Sequence, residues 1–482
     1  MKLALISIES SAADPPLGLA YLSAYIKKYS NFKDVKIIDK EDILKSVKKG
    51  HFDMIGISSI TTEFKKSNQC AKSIREFFNG SLIIGGVHIT IMPHHLKESA
   101  FDIGVMGEGE NTLLELWNLF NENHGKLNPD ELEKINGLVF KNKANELVYT
   151  KKRELIKNLD DVPFPDRDAL KMKQIYLVPQ IKAGVDNIGV FTTMFTSRGC
   201  PYDCAFCSSS AFWERKFRFN SPEYVVNEIE TLAKKYHVEG IHILDDLFVV
   251  DKPRVKKIAS LLEKKGLNKK LRFSLLLRSN LVNDALLQDL RKMNVTHVGF
   301  GFESASPKML KYLKGSSVTV EDHSNAIKLC KQYGMRVSGS FLIGCPGETK
   351  EDMEMTLNFI ENNPLDQMNV NQLIPMPNTA IWTYAKEQGM VDDSFDFTIN
   401  KLSNLFVHNY NPSLILSKEV TEPEFRELFN RAQSIVKHSK INNFSIKARH
   451  LKYLKNPRFM VKVLKRWKRV MFMLGLRKKD VV

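Results

Sequence analysis

The sequence predicts an α/β protein in three parts: a flavodoxin-like (Rossmann-like) parallel-sheet domain, a partial (β/α)6 TIM-like barrel and a small C-terminal helical domain. Three observations carry this. Short apolar runs alternate with amphipathic segments over the first ~120 residues, the pattern of a parallel sheet flanked by helices. The alternation resumes at Phe191 for six further strand–helix units, enough for an incomplete barrel. Between them, Leu159-Asp160-Asp161-Val162-Pro163-Phe164-Pro165 places two prolines in three residues, which forces an extended path and forbids a helix. The boundaries that follow are 1–125, a connector at 126–189, the barrel at 190–380 and a helical region at 381–482.

In the first part, strands are expected at Leu3–Ile8, Val35–Ile38, Met54–Ser58, Leu82–Ile84 and Ile103–Met106. The helices between them are Leu17–Lys28, Glu41–Lys49, Glu63–Phe78 and Asn111–Phe120. Met1–Ile8 is apolar but is followed at once by Glu9, Ser10 and Ser11, so it reads as a strand and not as a signal peptide. In the connector, Gly137–Phe140 and Glu146–Thr150 flank the polar Lys141–Asn145 and predict a β-hairpin. Barrel strands are expected at Gly240–Leu244, Leu271–Leu277, Thr296–Phe302, Val337–Ile343 and Met368–Ile374, with helices such as Pro222–Tyr236, Val282–Met293 and Lys350–Asn362. The region after Pro375 becomes helical and is expected to close the barrel mouth.

Hydrophobic content of 43% and charged content of 26% are ordinary globular values. No run approaches the ~18 uninterrupted apolar residues of a membrane span, and a cytoplasmic location is expected. The formal charge of +16 is concentrated at one end: residues 441–482 hold 13 Lys/Arg and a single acid, Asp480, whereas the rest holds 58 Lys/Arg against 54 Asp/Glu. A nucleic-acid surface on the body is therefore not expected. Within the tail, Phe459–Leu476 sets Met460, Val463, Leu464, Trp467, Val470, Met471 and Leu474 at helical spacing, with Lys462, Lys465, Arg466, Lys468 and Arg469 opposite. Such a basic amphipathic helix either packs on the body or makes a peripheral contact with the anionic inner face of a membrane.

Chemistry is concentrated at Ser197–Ser210, where Cys200, Cys204 and Cys207 stand at spacing C-x3-C-x2-C. The other cysteines, Cys70, Cys330 and Cys345, are distant. Structural zinc takes four ligands, commonly as two C-x2-C pairs. Three thiolates suit a [4Fe-4S] cluster with one iron left open. A zinc knuckle with a remote fourth ligand is the alternative.

The motif, with Phe206 just before the third cysteine, resembles the signature of the radical S-adenosylmethionine (SAM) superfamily. The resemblance implies that the three cysteines hold a [4Fe-4S] cluster, that SAM binds the fourth iron, and that backbone around Phe206 contacts the adenine. It also implies an external electron donor such as ferredoxin or flavodoxin. At the expected barrel strand ends stand Asp245-Asp246, Arg278, Glu303-Ser304 and Gly344-Cys345-Pro346-Gly347-Glu348. Ile-Leu-Asp-Asp-x-Phe, Gly-Phe-Glu-Ser and Phe-Leu-Ile-Gly-x-Pro-Gly-Glu-Thr resemble the cobalamin-dependent branch of the superfamily. That implies SAM contacts for Asp245, Arg278 and Glu303.

The first domain carries Pro-Pro-Leu-Gly-Leu-Ala-Tyr-Leu, Gly-Ile-Ser-Ser, Gly-Gly-x-His-x-Thr and Gly-Glu-Gly-Glu, which are similar to loops of the cobalamin-binding domain that precedes many radical SAM cores. The resemblance places Gly18, Ser58, Ser59, Gly86, His88, Gly107 and Glu108 around the corrin and its tail. The Asp-x-His-x-x-Gly motif that supplies a cobalt ligand in other cobalamin proteins is absent, so no histidine is expected on cobalt. His94 and His95 are expected as a solvated helix start. The activity implied is methyl transfer to an unactivated carbon of a small-molecule or lipid substrate. In that chemistry one SAM recharges the cobalamin with methyl and a second is cleaved at the cluster. Cyclisation, rearrangement or oxidation with the same cofactors is the alternative, and a cobalamin-binding sensor or carrier is a third reading.

Overall fold

The computed structural model describes residues 1–8, 14–177, 180–181, 188–397 and 410–442, together with Met460 and Leu464. The tail helix expected over 459–476 lies outside the described residues, those two positions apart.

The chain divides into two compact units, the first formed by residues 1–176 with 393–397. Its sheet contains β1 (Leu3–Ser7), β2 (Val35–Ile38), β3 (Met54–Ser58), β4 (Ser81–Gly85), β5 (Ile103–Val105), β6 (Leu138–Lys141) and β7 (Leu147–Tyr149), in the order β2-β1-β3-β4-β5-β6-β7. The first five strands pair in parallel, as the alternation predicts. Four consecutive buried residues, Leu3 to Ile6, show why: a parallel strand covered by helices on both faces needs an unbroken apolar run. The helix Leu17–Tyr29 begins directly after Pro15-Pro16 and ends with Lys27 and Lys28 beside its carbonyl-rich terminus. Ile55, Ile57, Leu82, Ile84, Ile89 and Phe101 form the core under the sheet, each burial worth about 1.5–3 kcal/mol.

Three placements differ from expectation. The hairpin is not a connector: β6 pairs antiparallel with β5, Ile103 opposite Phe140 and Val105 opposite Leu138. Without it β5 would present an open row of backbone donors and acceptors. Val87 and His88, expected in the loop Gly85-Gly86-Val87-His88, instead open a short helix, Val87–Ile91, launched from Gly86. Residues 393–397, expected in a separate helical domain, belong to the first unit, held by a Lys65–Asp396 ion pair of 2.7 Å and a His95 contact to the Asp393 carbonyl.

The second unit is a six-stranded parallel sheet of β8 (Phe191–Met194), β9 (Gly240–Ile243), β10 (Arg272–Leu277), β11 (Val295–Glu303), β12 (Arg336–Ile343) and β13 (Gln367–Gln372), in sequential order. Burial alternates along the strands. Phe273, Leu275, Phe341, Ile343 and Val370 pack under the helices, whereas Ser274, Leu276, Ser338, Ser340 and Asn369 lie on the less buried face. The helices start where their caps dictate. Ser221 caps Pro222–Tyr236, and Thr349 with Asp352 forms a capping box on Lys350–Asn362. The Asn283 side chain accepts from Leu286 N at 3.0 Å, which sets the next helix at Asp284–Lys292, slightly inside the expected span.

The helix Glu422–Asn442 does not close the mouth. Phe425, Leu428, Phe429, Ala432 and Val436, at helical spacing, join the barrel core, and the helix lies beside β13 and Lys350–Asn362. It adds to the outer helical layer next to the last strand, with Phe425 at its start lying against Gly344 at a strand end.

Candidate functional site

The cysteine loop leaves the end of β8. Its two ends are joined by a short antiparallel ribbon, Ser197–Arg198 with Arg218–Phe219. Gly199 has φ +89°, and a Cβ there would lie 2.1 Å from the Lys216 carbonyl oxygen, so only glycine fits. Cys207 N donates to the Cys204 carbonyl at 3.1 Å, and the helix Ser208–Trp213 starts directly after Cys207. Further contacts clamp the loop's middle: Ala205 N donates to the Leu313 carbonyl at 2.9 Å, and Ile381 N donates to the Ala205 carbonyl at 3.3 Å.

All three cysteines are free and half-buried. Burial and the neighbouring thiols and Asp246 push Cys207 up to about 11, and burial likewise raises Cys200. Cys200 and Cys207 are thereby held towards the thiol form unless a metal centre compensates their charge. Among the described residues no three His, Cys, Asp or Glu gather tightly enough for a single ion. A cluster makes a different demand, since each ligated iron takes its own thiolate.

Arg278, at the end of β10, is 6% exposed. Its Nη1 lies 3.5 Å from Cys204 Sγ, and its Nη2 donates to the Lys314 carbonyl at 3.0 Å and to Ser317 Oγ at 3.2 Å. The guanidinium stacks 3.9 Å over the Tyr202 ring. Its Nε is buried with no partner, an orphaned charged donor beside the thiols. Glu303 ends β11 with φ +69°, a sparsely populated conformation for a non-glycine residue, at a register shift between β11 and β12. Burial raises its pKa, opposed by Lys314 and Arg278. The Lys314 ammonium, buried, donates to the Gly301 carbonyl.

In the first unit, loops at the carboxyl ends of β1 and β3 border a half-open cavity of about 260 Å3 lined by Ser7, Asp14, Pro15, Gly18, Ser58 and Glu63. The loops after β3 and β4 are knitted together: Ser59 N donates to the Gly85 carbonyl at 2.9 Å and His88 N to the Ser59 carbonyl at 3.3 Å. Gly86, at φ +104°, would bring a Cβ to 2.6 Å from Ser59 O. Gly107 N donates to Thr90 Oγ1 at 2.9 Å, and space beside its Cα is open. A cavity edged by glycine and small hydroxyl side chains at the carboxyl edge of an open parallel sheet is where such folds take a bulky ligand.

Comparison with known proteins covers both units. Residues 5–117 match the B12 binding domain and residues 194–360 match the radical SAM superfamily. An uncharacterized methyltransferase of Pyrococcus horikoshii is 33% identical over 383 residues, 77% of this chain and 78% of that protein. The chain is a radical SAM protein with a B12-binding domain. The anaerobic magnesium-protoporphyrin IX monomethyl ester cyclase of Rubrivivax gelatinosus is 28% identical, covering 80% of this chain and 68% of that one. In fold it is similar to the radical SAM methyltransferase TsrM from Kitasatospora setae, solved with cobalamin and a [4Fe-4S] cluster. The TM-score is 0.66 at 18% identity, over 80% of this chain and 75% of that one.

The radical SAM unit brings Cys200, Cys204, Cys207 and Arg278 together, with Glu303 close enough to Arg278 to interact electrostatically. Phe206 sits half-buried between the last two cysteines. Asp245, expected to contact SAM, does something else. It is 1% exposed and accepts from Thr196 N at 2.6 Å, Thr196 Oγ1 at 2.5 Å and Ser197 Oγ at 2.6 Å. It fastens the chain entering the cysteine loop. Its neighbour Asp246, bonded by Ser209 Oγ at 3.0 Å, is the carboxylate that the thiols feel. Glu348 turns inward to accept from Cys345 N at 2.8 Å. Lys314 was not singled out by any sequence pattern; a lysine ending a helix reads as surface.

In the B12-binding unit Gly18 and Ser58 line the cavity, and Ser59, Gly86 and Gly107 shape the loops beside it. Glu108 departs from expectation: its Oε2 accepts from Ile156 N at 2.7 Å, so it anchors the chain beyond the hairpin. His95 is not solvated surface either. A carbonyl only accepts, so His95 Nε2 donates to Asp393 O at 2.7 Å; His95 Nδ1 then accepts from His88 Nε2–H at 3.0 Å. His88 stacks on Phe64 with ring centroids 4.0 Å apart.

His88 is 1% exposed, and burial, with His95 and His94 adding to it, lowers its pKa to about 3. The folded chain therefore binds fewer protons at this site than the unfolded chain below pH ~6.5, and stability is lost as pH falls from there towards 3. Between pH 7 and pH 5 the loss from this group is about 2 kcal/mol. Urea unfolding of wild type and His88→Gln at both pH values should show a smaller acid loss in the variant.

Proposed function

We propose that this protein is a cobalamin-dependent radical SAM methyltransferase acting on an unactivated carbon of a small molecule. Cys200, Cys204 and Cys207 would hold the [4Fe-4S] cluster. The observation that carries this is the clamped three-thiol loop facing Arg278, whose Nη1 lies 3.5 Å from Cys204 Sγ. Residues 1–125 would hold cobalamin, and 190–380 the radical SAM core. Bound there, the cluster supplies one-electron cleavage of SAM and the cobalamin supplies methyl carriage. The chain's own part is to fix the thiols, to present Arg278 and Glu303 at the strand ends and to hold the corrin loops open. His88 is proposed as a neighbour of the corrin and not a cobalt ligand, because its Nε2 is engaged by His95 and its Nδ1 has no surface through which to reach a metal.

A one-electron donor of the ferredoxin or flavodoxin type is part of the proposal. A lipid character of the substrate rests only on the basic, apolar sequence of 459–476. Among the described residues no helix is long and apolar enough to cross a membrane.

Anaerobic reconstitution with iron, sulfide and cobalamin, followed by mass spectrometry of cell extracts incubated with methyl-labelled SAM, tests the reading. Methyl transfer predicts S-adenosylhomocysteine together with 5′-deoxyadenosine and label in a new product. The similarity to a cyclase favours a second reading, which predicts 5′-deoxyadenosine without S-adenosylhomocysteine. Neither product would leave a sensor or carrier.

A further inference from the structure

Lys314 is a buried ammonium for which the proposed chemistry has no use so far. It ends the helix Pro307–Lys314, 8% exposed, with its Nζ donating to the Gly301 carbonyl and its own carbonyl accepting from Arg278. The residue before it, Leu313, accepts from the backbone of the cysteine loop at Ala205. Lys314 thus sits at the junction of cysteine loop, Arg278 and Glu303; burial lowers its pKa, and the charges of Glu303, Cys204 and Cys200 oppose that. Burying an ammonium is costly. The charge itself therefore calls for an explanation.

We propose that Lys314 and Arg278 form a buried dication that raises the reduction potential of the cluster held by the cysteine loop, against the opposing carboxylates Glu303 and Asp246. The inference rests on reading Cys200, Cys204 and Cys207 as cluster ligands. Adding an electron to a cluster that already carries thiolate charge makes it more negative, and nearby fixed cations favour that state. Glu303, and Asp246 beside the thiols, oppose the two cations, so the field at the cluster is a balance that the loss of either cation tips. Lys314 is a positioning residue for this field; it donates no proton and touches no substrate. In a medium of effective dielectric ~20, one unit charge at about 10 Å changes such an equilibrium on the order of tenfold.

The test is a redox titration of the full chain, reconstituted without SAM, using dithionite as the one-electron reductant and paramagnetic resonance of the reduced cluster as the readout. Iron is quantified in every sample. Lys314→Met should keep its iron while the reduced-to-oxidised ratio at fixed potential falls about tenfold, 59 mV for a one-electron couple. Lys314→Arg should retain the wild-type potential. Glu303→Gln should move it the other way. Opposite signs cannot arise from general damage to the fold. Lys314→Met with full iron and an unmoved potential overturns the inference, as do two shifts of the same sign. If Lys314→Met does not fold, Glu303→Gln and Lys314→Arg decide alone. A wild-type chain that assembles no [4Fe-4S] cluster overturns the ligand reading itself, a separate failure visible in the iron count.

Discussion

Replacing Cys200, Cys204 and Cys207 together by Ala abolishes iron binding and SAM cleavage, whereas Cys70→Ala, Cys330→Ala and Cys345→Ala leave both in place. The contrast follows from where each thiol stands. The first three lie half-buried on one loop beside a guanidinium 3.5 Å from Cys204, close enough for each to perturb the others. Cys330 is fully buried in the barrel core, and burial alone pushes it to about 12. Cys345 is equally enclosed, in the turn capped by Glu348. Cys70 packs against the core of the other unit, pushed to about 11 by burial. Such thiols act as small apolar groups, and their removal costs on the order of 1 kcal/mol of packing. Iron and sulfide analysis, with 5′-deoxyadenosine as the activity readout, checks both halves. Iron retained in the triple variant would remove the basis for the cluster assignment.

Gly86→Ala abolishes cobalamin binding and leaves iron binding intact. The added methyl would stand 2.6 Å from Ser59 O, a backbone atom held by His88 N and unable to swing aside. The residue would also have to keep φ +104°, which no L-residue adopts readily. The two penalties together are about 2–4 kcal/mol. They fall on the segment joining the loops after β3 and β4, so the strain is relieved by parting those loops. Cobalamin retention on gel filtration, followed by its visible absorption, measures the effect. Iron content of the same sample reports on the cysteine loop, which lies in the other unit. An unchanged cobalamin stoichiometry would show that this turn does not shape the corrin site.

The sequence by itself determined what depends on near neighbours in the chain. Unbroken apolar runs such as Leu3–Ile6 and the capped helix at Lys350–Asn362 are set by local period and local hydrogen bonds. The three-thiol spacing and the glycine at 86 were legible for the same reason: ligand count and turn geometry are written within about ten residues. Only the tertiary structure decided the roles that depend on distant partners. Asp245 fastens the chain at Thr196 and Ser197, which stand 49 and 48 residues away. Glu108 meets Ile156, and His95 meets Asp393 across 298 residues. Lys314 ends a helix like any surface lysine, yet it is buried where that helix end meets the cysteine loop, Arg278 and the Gly301 carbonyl. A carboxylate, an imidazole or an ammonium advertises its chemistry in the sequence. Whether that chemistry faces a ligand or a backbone is settled by which remote segment reaches it first.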